Sequence, residues 1–341
     1  MKRINYLDAT RGFAMVTVVM AHTMGKCLNI GNYNNVLWSL IITFFLPLFF
    51  FVSGFLSYKE VDFNLKKIGQ NILQKFTALV VPAFLMFCIW QVSHGCSPLA
   101  FIKQGFGGYW FTFVLFEMFL IYYCITWIGS FLSNKIVDAI LILLAVMGVL
   151  WLMKANRQGV FYQVLCMENL AKYWQFFVLG LLCKKYNGFF IRCMDSDAMR
   201  GIIIFSFMLS FLLCFHDGFK NRYGLAYAMV HDIFVRYAGV LTVIVFFYMK
   251  RSFFDGKSLI AKVMVFIGKR TLDIYLLHYF FIPHLFSLKE YMANGANTTF
   301  LIQLVVVCLL SGLIIALSLL CSELIRSSNV LAHFLLGAKR H

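Results

Sequence analysis

The chain has 341 residues, of which 62% are hydrophobic and 13% are charged, and its mean hydropathy is +0.82. Soluble domains carry about 25% charged residues, so this composition excludes an ordinary soluble protein. The formal net charge of +16 would suit a nucleic-acid partner in a soluble protein, but a membrane protein places such residues in its loops. The 10 cysteines show no CxxC pair and no metal-ligand spacing, so we predict no metal site.

Ten apolar stretches are long enough to cross a hydrocarbon core of about 30 Å as helices. They cover residues 11–31, 37–58, 71–93, 109–131, 136–153, 170–184, 199–216, 228–250, 271–288 and 300–325. Long uninterrupted runs with only 4 prolines favour helices over a β-barrel. The sequence therefore predicts an all-α polytopic integral membrane protein with about ten transmembrane helices.

The positive residues are distributed unevenly between the two sides of this arrangement. With a cytoplasmic N-terminus, and with residues near the end of a stretch counted in the adjoining loop, 21 of the 30 Lys and Arg residues fall on the inner side and 7 on the outer side. The other 2, Lys172 and Arg236, lie well within stretches. This asymmetry predicts that both termini are cytoplasmic, and it makes a nucleic-acid partner unnecessary. No loop is long enough to fold separately, so we expect a single transmembrane domain over residues 1–341.

The first stretch carries three polar side chains, Asp8, Arg11 and His22. Eleven residues at about 100° each make about three turns, so Arg11 and His22 share one helix face roughly 16 Å apart. Asp8 falls within about 40° of that face, which gives a polar stripe along the helix. Ionisable residues inside a membrane are functional candidates by default. The alternative is that Arg11 marks orientation at the inner boundary and His22 is a core histidine.

The Arg11 to His22 spacing also resembles that of a known family. YLDATRGFAM (6–15) and AHT (21–23) are similar to the start of the membrane acyltransferase type 3 family, whose members acylate sugars and other hydroxyl compounds. Further similar elements are FFFVSGFL (49–56), YWFTFVLFE (109–117), FFVLG (176–180) and IGKRTLDIYLLH (267–278), where Thr271 replaces the commoner Ser. They follow in family order across almost the entire chain.

The resemblance implies acyl-CoA as a cytoplasmic co-substrate, with no bound cofactor. It further implies that His22 is the base or the acyl carrier, and that Arg11 binds the donor. The family commonly has an Arg-x-x-Arg pair before its third helix, whereas QKFTALVVP (74–82) offers Lys75 and then Ala78. If that pair holds the donor, Lys75 with Lys66 or Lys67 must serve here.

Other residues in the apolar stretches are candidates either for the site or for helix packing. Glu117 lies in the fourth stretch, where a carboxylate is costly, and it could orient His22, bind a sugar hydroxyl or bond across helices. Asp232 and Arg236 have the i, i+4 spacing of an internal ion pair, which we expect to be structural.

Tyr109 and Trp110 begin the fourth stretch, where we expect an aromatic belt at the outer interface, with stacking on a sugar face as the alternative. We expect Ser53 to serve helix packing, with a site role as its alternative, and His278 is a candidate either for the site or for packing.

From these residues and the resemblance we expect a membrane O-acyltransferase, specifically an O-acetyltransferase of the bacterial cytoplasmic (inner) membrane. It would move an acyl group from cytoplasmic acetyl-CoA to a hydroxyl of a cell-envelope, exopolysaccharide or lipid-linked sugar. Its partners would then be acyl-CoA, a carbohydrate acceptor and membrane lipid, without nucleic acid.

Two other classes of function stay open at this stage. In a transporter or flippase, His22, Glu117 and the Asp232–Arg236 pair would form a proton relay or a substrate path. Proline is scarce within the stretches and no matching broken helices are evident, which argues against it. In a membrane sensor with a degenerate site, the missing second Arg would leave donor binding without turnover.

Overall fold

A computed structural model describes residues 4–32, 35–58, 65–100, 105–129, 131, 134–154, 159–214, 218–293 and 299–338, and every regular element in these ranges is helical. The helices are α1 (Asn5–His22), α2 (Val36–Ser57), α3 (Leu65–Lys75), α4 (Val81–Ser93), α5 (Trp110–Gly129), α6 (Asn134–Lys154), α7 (Val160–Val164), α8 (Met167–Lys185), α9 (Asn187–Asp195), α10 (Asp197–Cys214), α11 (Gly218–Met249), α12 (Arg251–Asp255), α13 (Leu259–Lys269), α14 (Thr271–Leu277), α15 (Phe286–Ala293), α16 (Phe300–Arg326) and α17 (Asn329–Leu336). Five-residue π-helical turns follow α1 at Thr23–Cys27 and join α3 to α4 at Phe76–Val80. The all-α class is therefore confirmed.

Six helices of the described residues are long and apolar enough to cross a membrane. They are Val36–Ser57, Lys66–Ser93, Gly107–Gly129, Lys135–Leu152, Asp232–Met249 and Phe300–Arg326. A seventh crossing results if α9 and α10, which meet at 82°, form one bent span. The protein is thus a multi-pass membrane protein. Helix α1 lies outside this set, and its Asp8, Arg11 and His22 lower its hydropathy.

The chain divides into two compact units. The first unit consists of Met1–Val52 and Tyr186–Leu319, and the second consists of Ser53–Lys185 and Leu320–His341. Each unit therefore combines stretches of chain that are far apart in sequence. The single domain expected over residues 1–341 stays a prediction.

The ninth apolar stretch, 271–288, differs from the continuous helix expected there. Helix α14 ends at Leu277, a 3-10 turn covers His278–Phe281, and α15 begins only at Phe286. Pro283 explains the break, because it has no backbone N–H and disfavours helical geometry at the residue before it. Ile282 is accordingly extended. His284, which we placed in the ninth helix, lies instead in the non-helical connection.

Helices α1 and α13 pack against each other in the first unit through glycines. A Cβ built on Gly12 would overlap the backbone carbonyl oxygen of Met264, and one built on Gly268 would overlap that of Asp8. The two backbones are therefore in direct contact, as small residues allow in membrane helices. On the neighbouring face of α1, the Phe13 ring stacks on Phe44 with centroids 5.7 Å apart.

The second unit has a similar contact between α2 and α8. A Cβ on Gly54 would overlap the carbonyl oxygen of Phe177. Lys185, at the end of α8, pairs with Asp138 of α6 at 2.7 Å. Ser53 is half-buried beside Gly54, which agrees with the packing alternative for this residue.

The Gly12 contact predicts that a single added methyl group destabilises the first unit. We expect Gly12→Ala to lower the free energy of unfolding by about 1–3 kcal/mol, because the methyl group must push α13 away from α1. Gly312→Ala is the matched control, since a Cβ at Gly312 of α16 meets no atom within 4 Å. Thermal unfolding of the detergent-purified variants measures both. Equal stability of the two variants would contradict the direct backbone contact.

Candidate active site

The N-terminal end of the polar stripe is formed by Asp8 and Arg11 of α1. Arg11 Nη1 lies 3.9 Å from Asp8 Oδ1, and Arg11 Nη2 donates a hydrogen bond to Thr271 Oγ1 at 3.0 Å. The Asp8 side chain is 7% exposed, whereas the Arg11 side chain is 32% exposed. A guanidinium that two partners orient and that is still one-third exposed is placed to meet an anionic group.

The start of α14 extends this polar cluster. Arg270 Nη1 lies 3.3 Å from Asp273 Oδ2, and the Asp273 side chain is buried. Thr271 stands between these two residues in the sequence, and its hydroxyl is the acceptor for Arg11. The position where Thr replaces the commoner Ser therefore keeps a hydroxyl that orients the guanidinium.

At the other end of α1, His22 contacts the 3-10 turn that follows α14. The Tyr279 hydroxyl lies 3.1 Å from His22 Nε2. The His22 ring centroid is 4.9 Å from that of Tyr279 and 5.2 Å from that of His278. His22 is half-buried, and its imidazole faces these two rings.

His278 is fully buried and has a fixed orientation. Its Nδ1 lies 3.0 Å from the Ile274 carbonyl oxygen and 2.8 Å from the Tyr275 carbonyl oxygen. Because carbonyls only accept, the ring carries its proton on Nδ1, and Nε2 is an acceptor. Within the described part of the chain, Nε2 is buried and has no hydrogen-bond partner. The packing role and the site role proposed for His278 are thus compatible.

Two residues of this cluster were not identified from the sequence. Tyr279 directly follows the family-like segment, and only the contact with His22 distinguishes it from other membrane tyrosines. Lys26 lies in the turn after α1, with its ammonium 4.2 Å from the Tyr279 ring centroid. The sequence could have indicated Lys26, because it follows His22 by four residues and a side chain at that spacing returns to the same helix face.

The two ends of the stripe contact the same partner segment. Arg11 bonds Thr271, and eleven residues later His22 bonds Tyr279. The rise of a helix separates Arg11 and His22 by roughly 16 Å. Residues 271–279 thus run beside α1 from a charged group at one end to imidazole and phenol at the other. Such an arrangement can hold an anion at one end and transfer a proton at the other.

Glu117 and the candidate donor-binding lysines belong to the second unit. Among the described residues, Glu117 Oε2 is buried and has no hydrogen-bond partner. The Lys75 ammonium lies 3.9 Å from the Phe119 ring centroid, and Lys67 is exposed on α3. The expected role of Glu117 beside His22, and donor binding by the two lysines, stay predictions.

The two aromatic residues at the start of α5 do not both fit an interfacial belt. Tyr109 is only 2% exposed, so its ring is inside the second unit, unlike the belt position we expected. Trp110 is half-buried and stacks on Tyr173 with centroids 5.8 Å apart. Packing between helices explains the burial of both rings.

The Asp232–Arg236 ion pair is confirmed. Arg236 Nε lies 2.8 Å from Asp232 Oδ2, and Arg236 Nη1 donates to the Ile42 carbonyl oxygen at 3.0 Å. Arg236 is 5% exposed, and this buried guanidinium ties α11 to α2. The geometry agrees with the structural role expected for the pair.

Within the described residues, no group of three or more His, Cys, Asp or Glu side chains could hold a metal ion.

Comparisons with known proteins place the chain in a family. A family model described as an acyltransferase domain matches residues 4–323. No match was found among curated proteins or among solved structures. The family match contains both ends of the α1 stripe and the segment that contacts them. Because it spans nearly the whole chain, the protein belongs to the membrane acyltransferase type 3 family.

Proposed function

We propose that this acyltransferase is an O-acetyltransferase of the bacterial cytoplasmic membrane. It takes an acetyl group from cytoplasmic acetyl-CoA and transfers it to a hydroxyl of a cell-envelope, exopolysaccharide or lipid-linked sugar. The observation that carries this proposal is that Arg11 and His22, on one face of α1, both bond to the segment 271–279.

The inner end of the stripe is proposed as the donor site. Acetyl-CoA is a polyanion, and Arg11 offers a guanidinium that Asp8 and Thr271 orient. Guanidinium groups suit phosphate because their N–H groups form a planar fork. The pantetheine arm would then run along α1 towards His22. Lys67 and Lys75 are proposed as further donor contacts in place of the family's two arginines.

The imidazole of His22 is proposed as the base of the transfer. Attack of a hydroxyl on a thioester requires removal of the hydroxyl proton, and a neutral imidazole near other neutral rings can accept it. The half-buried position of His22 and its bond to the Tyr279 hydroxyl support this role. Glu117, with a buried carboxylate oxygen, is proposed to bind the sugar acceptor.

One structural feature favours the transporter or flippase alternative. The segment 271–288 is interrupted between α14 and α15, and broken helices line the substrate sites of many transporters. The family supports acyl transfer instead. Acyl transfer and transport can be distinguished by free CoA, which an acyltransferase releases from acetyl-CoA and a transporter does not. Donor binding without CoA release would favour a degenerate sensor.

For the membrane arrangement we propose ten crossings with both termini in the cytoplasm. The excess of Lys and Arg on one side supports it, and each apolar stretch contains helix. The interrupted stretch 271–288 would then cross as two short helices joined by the 3-10 turn.

This topology predicts opposite labelling of two exposed positions. In a variant that keeps only Cys96, a membrane-impermeant maleimide should label intact cells, because Cys96 follows α4 on the outer side. In a cysteine-free variant with Lys257→Cys, labelling should require permeabilised cells, since Lys257 lies in the basic inner segment 250–270. Labelling of both positions from outside would refute the arrangement.

Substitution of His22 tests the proposed reaction. We expect purified His22→Ala to lose at least about 100-fold in kcat, because a positioned base contributes roughly 10²–10⁴-fold. The assay uses acetyl-CoA with alkali-treated envelope polysaccharide, and it reads free CoA thiol together with ester-linked acetate by mass spectrometry. Wild-type rates in His22→Ala would reject His22 as the base. An absence of ester-linked acetate with the wild-type protein would count against the function itself.

The Arg11–Thr271 bond predicts a separate effect on the donor. We expect Thr271→Val to raise the KM for acetyl-CoA about 10-fold with little change in kcat, because a hydrogen bond to a charged group contributes about 1.5–3 kcal/mol when buried and less here. Thr17→Val is the control, since its hydroxyl bonds the Ala14 carbonyl of the same helix. Equal KM values for the two variants would show that Thr271 does not position Arg11.

A further inference from the structure

We propose that Tyr279 is a further catalytic residue, which takes the proton of the acceptor hydroxyl while it passes its own phenolic proton to His22. Lys26 assists by holding and polarising the tyrosine ring. This inference rests on the proposed acyl transfer, and it adds a proton path that the family match does not assign.

The first support is the position of the phenol on the reactive nitrogen. The Tyr279 hydroxyl lies 3.1 Å from His22 Nε2, and the Tyr279 ring centroid lies 4.2 Å from the His278 ring centroid. The Lys26 ammonium lies 4.2 Å from the Tyr279 ring centroid. Tyr279 thus has a defined orientation relative to His22.

The second support is the hydrogen-bonding capacity of the three rings. The Tyr279 hydroxyl already occupies His22 Nε2. The proton of an acceptor hydroxyl can therefore reach this nitrogen in two ways: the acceptor displaces Tyr279, or Tyr279 passes the proton on. A phenol can donate one hydrogen bond and accept another at the same oxygen. His278 cannot do both, because its Nδ1 proton is already directed at two backbone carbonyls. Tyr279 is therefore the ring of this cluster suited to a relay.

The third support is the cation on the face of the phenol ring. An ammonium over an aromatic face is attracted by about 0.5–2 kcal/mol, and more as the ring becomes electron-rich. When Tyr279 gives its proton to His22, negative charge develops on the phenol oxygen. The Lys26 ammonium stabilises that partial charge while the acceptor proton replaces the one given away. Displacement of the ring would instead lose this contact and the two histidine contacts.

The transfer step balances as follows. The acceptor oxygen attacks the thioester carbon, its O–H bond breaks, and the new C–O bond forms. The released proton goes to the Tyr279 oxygen, while the original phenolic proton goes to His22 Nε2. The C–S bond then breaks, and the sulfur takes a proton from His22 and leaves as the CoA thiol. One ester and one thiol replace one alcohol and one thioester.

The main test compares Tyr279→Phe with wild-type protein in the same acetyl-CoA and polysaccharide assay. We expect kcat to fall about 100-fold and the KM for acetyl-CoA to change less than about 2-fold, because only proton transfer is lost. In mixtures of H₂O and D₂O, a plot of the wild-type rate against the D₂O fraction should be curved, since two protons move together. The residual rate of Tyr279→Phe should fall linearly.

Tyr248→Phe is the matched control, because this hydroxyl bonds Asp195 elsewhere in the first unit. Its kcat should remain within about 2-fold of wild type. Lys26→Met is the second variant, since Lys26 is exposed and takes no part in the hydrogen bond between Tyr279 and His22. We expect kcat to fall about 10-fold in Lys26→Met and to recover largely in Lys26→Arg. If Tyr279→Phe does not fold, the wild-type isotope profile decides the relay, because a linear profile would contradict the movement of two protons.

Wild-type kcat and an unchanged solvent isotope profile in Tyr279→Phe would overturn the relay. Equal rates for Lys26→Met and Lys26→Arg would overturn the part assigned to Lys26. These results are distinguishable from a failure of the proposed function. If His22→Ala is inactive and Tyr279→Phe is fully active, the acyl transfer stands and the relay fails. If the wild type forms no ester-linked acetate, the function itself fails.

Discussion

The direct backbone contact between α1 and α13 is the constraint on which the site geometry depends. Gly12 and Gly268 leave no room for a side chain between the two helices, so their relative position is fixed at the level of backbone atoms. Arg11 precedes Gly12 by one residue, and Thr271 follows Gly268 by three. The same contact that packs the helices therefore brings the guanidinium to its hydroxyl partner. A looser interface would leave a flexible arginine in that place.

The first unit combines two chemically different ends along one pair of segments. At one end a partly exposed Arg11 lies beside the buried carboxylate of Asp8, while at the other end His22 and Tyr279 share a hydrogen bond beneath the ammonium of Lys26. The Arg11 guanidinium keeps access to solvent, which lowers the cost of its charge, and it balances the buried Asp8 carboxylate beside it.

Features with a local signal could be predicted from the sequence, whereas those formed between distant segments could not. Apolar length predicted helix in each of the ten stretches, and the i, i+4 spacing predicted the Asp232–Arg236 pair. The apolar length of residues 271–288 predicted one continuous helix, whereas the single Pro283 in this stretch interrupts it. The contact of Tyr279 with His22 joins residues 257 positions apart, so no periodicity reveals it.

The fixed orientation of His278 has a consequence for how a helix can stop within an apolar surrounding. The last carbonyls of any helix lack intrahelical donors, and in a soluble protein water commonly supplies them. Here the imidazole folds back onto the carbonyls of Ile274 and Tyr275 and acts as a C-terminal cap. Helix α14 can therefore end beside His22 and Tyr279 with its final carbonyls bonded to protein groups and not to water.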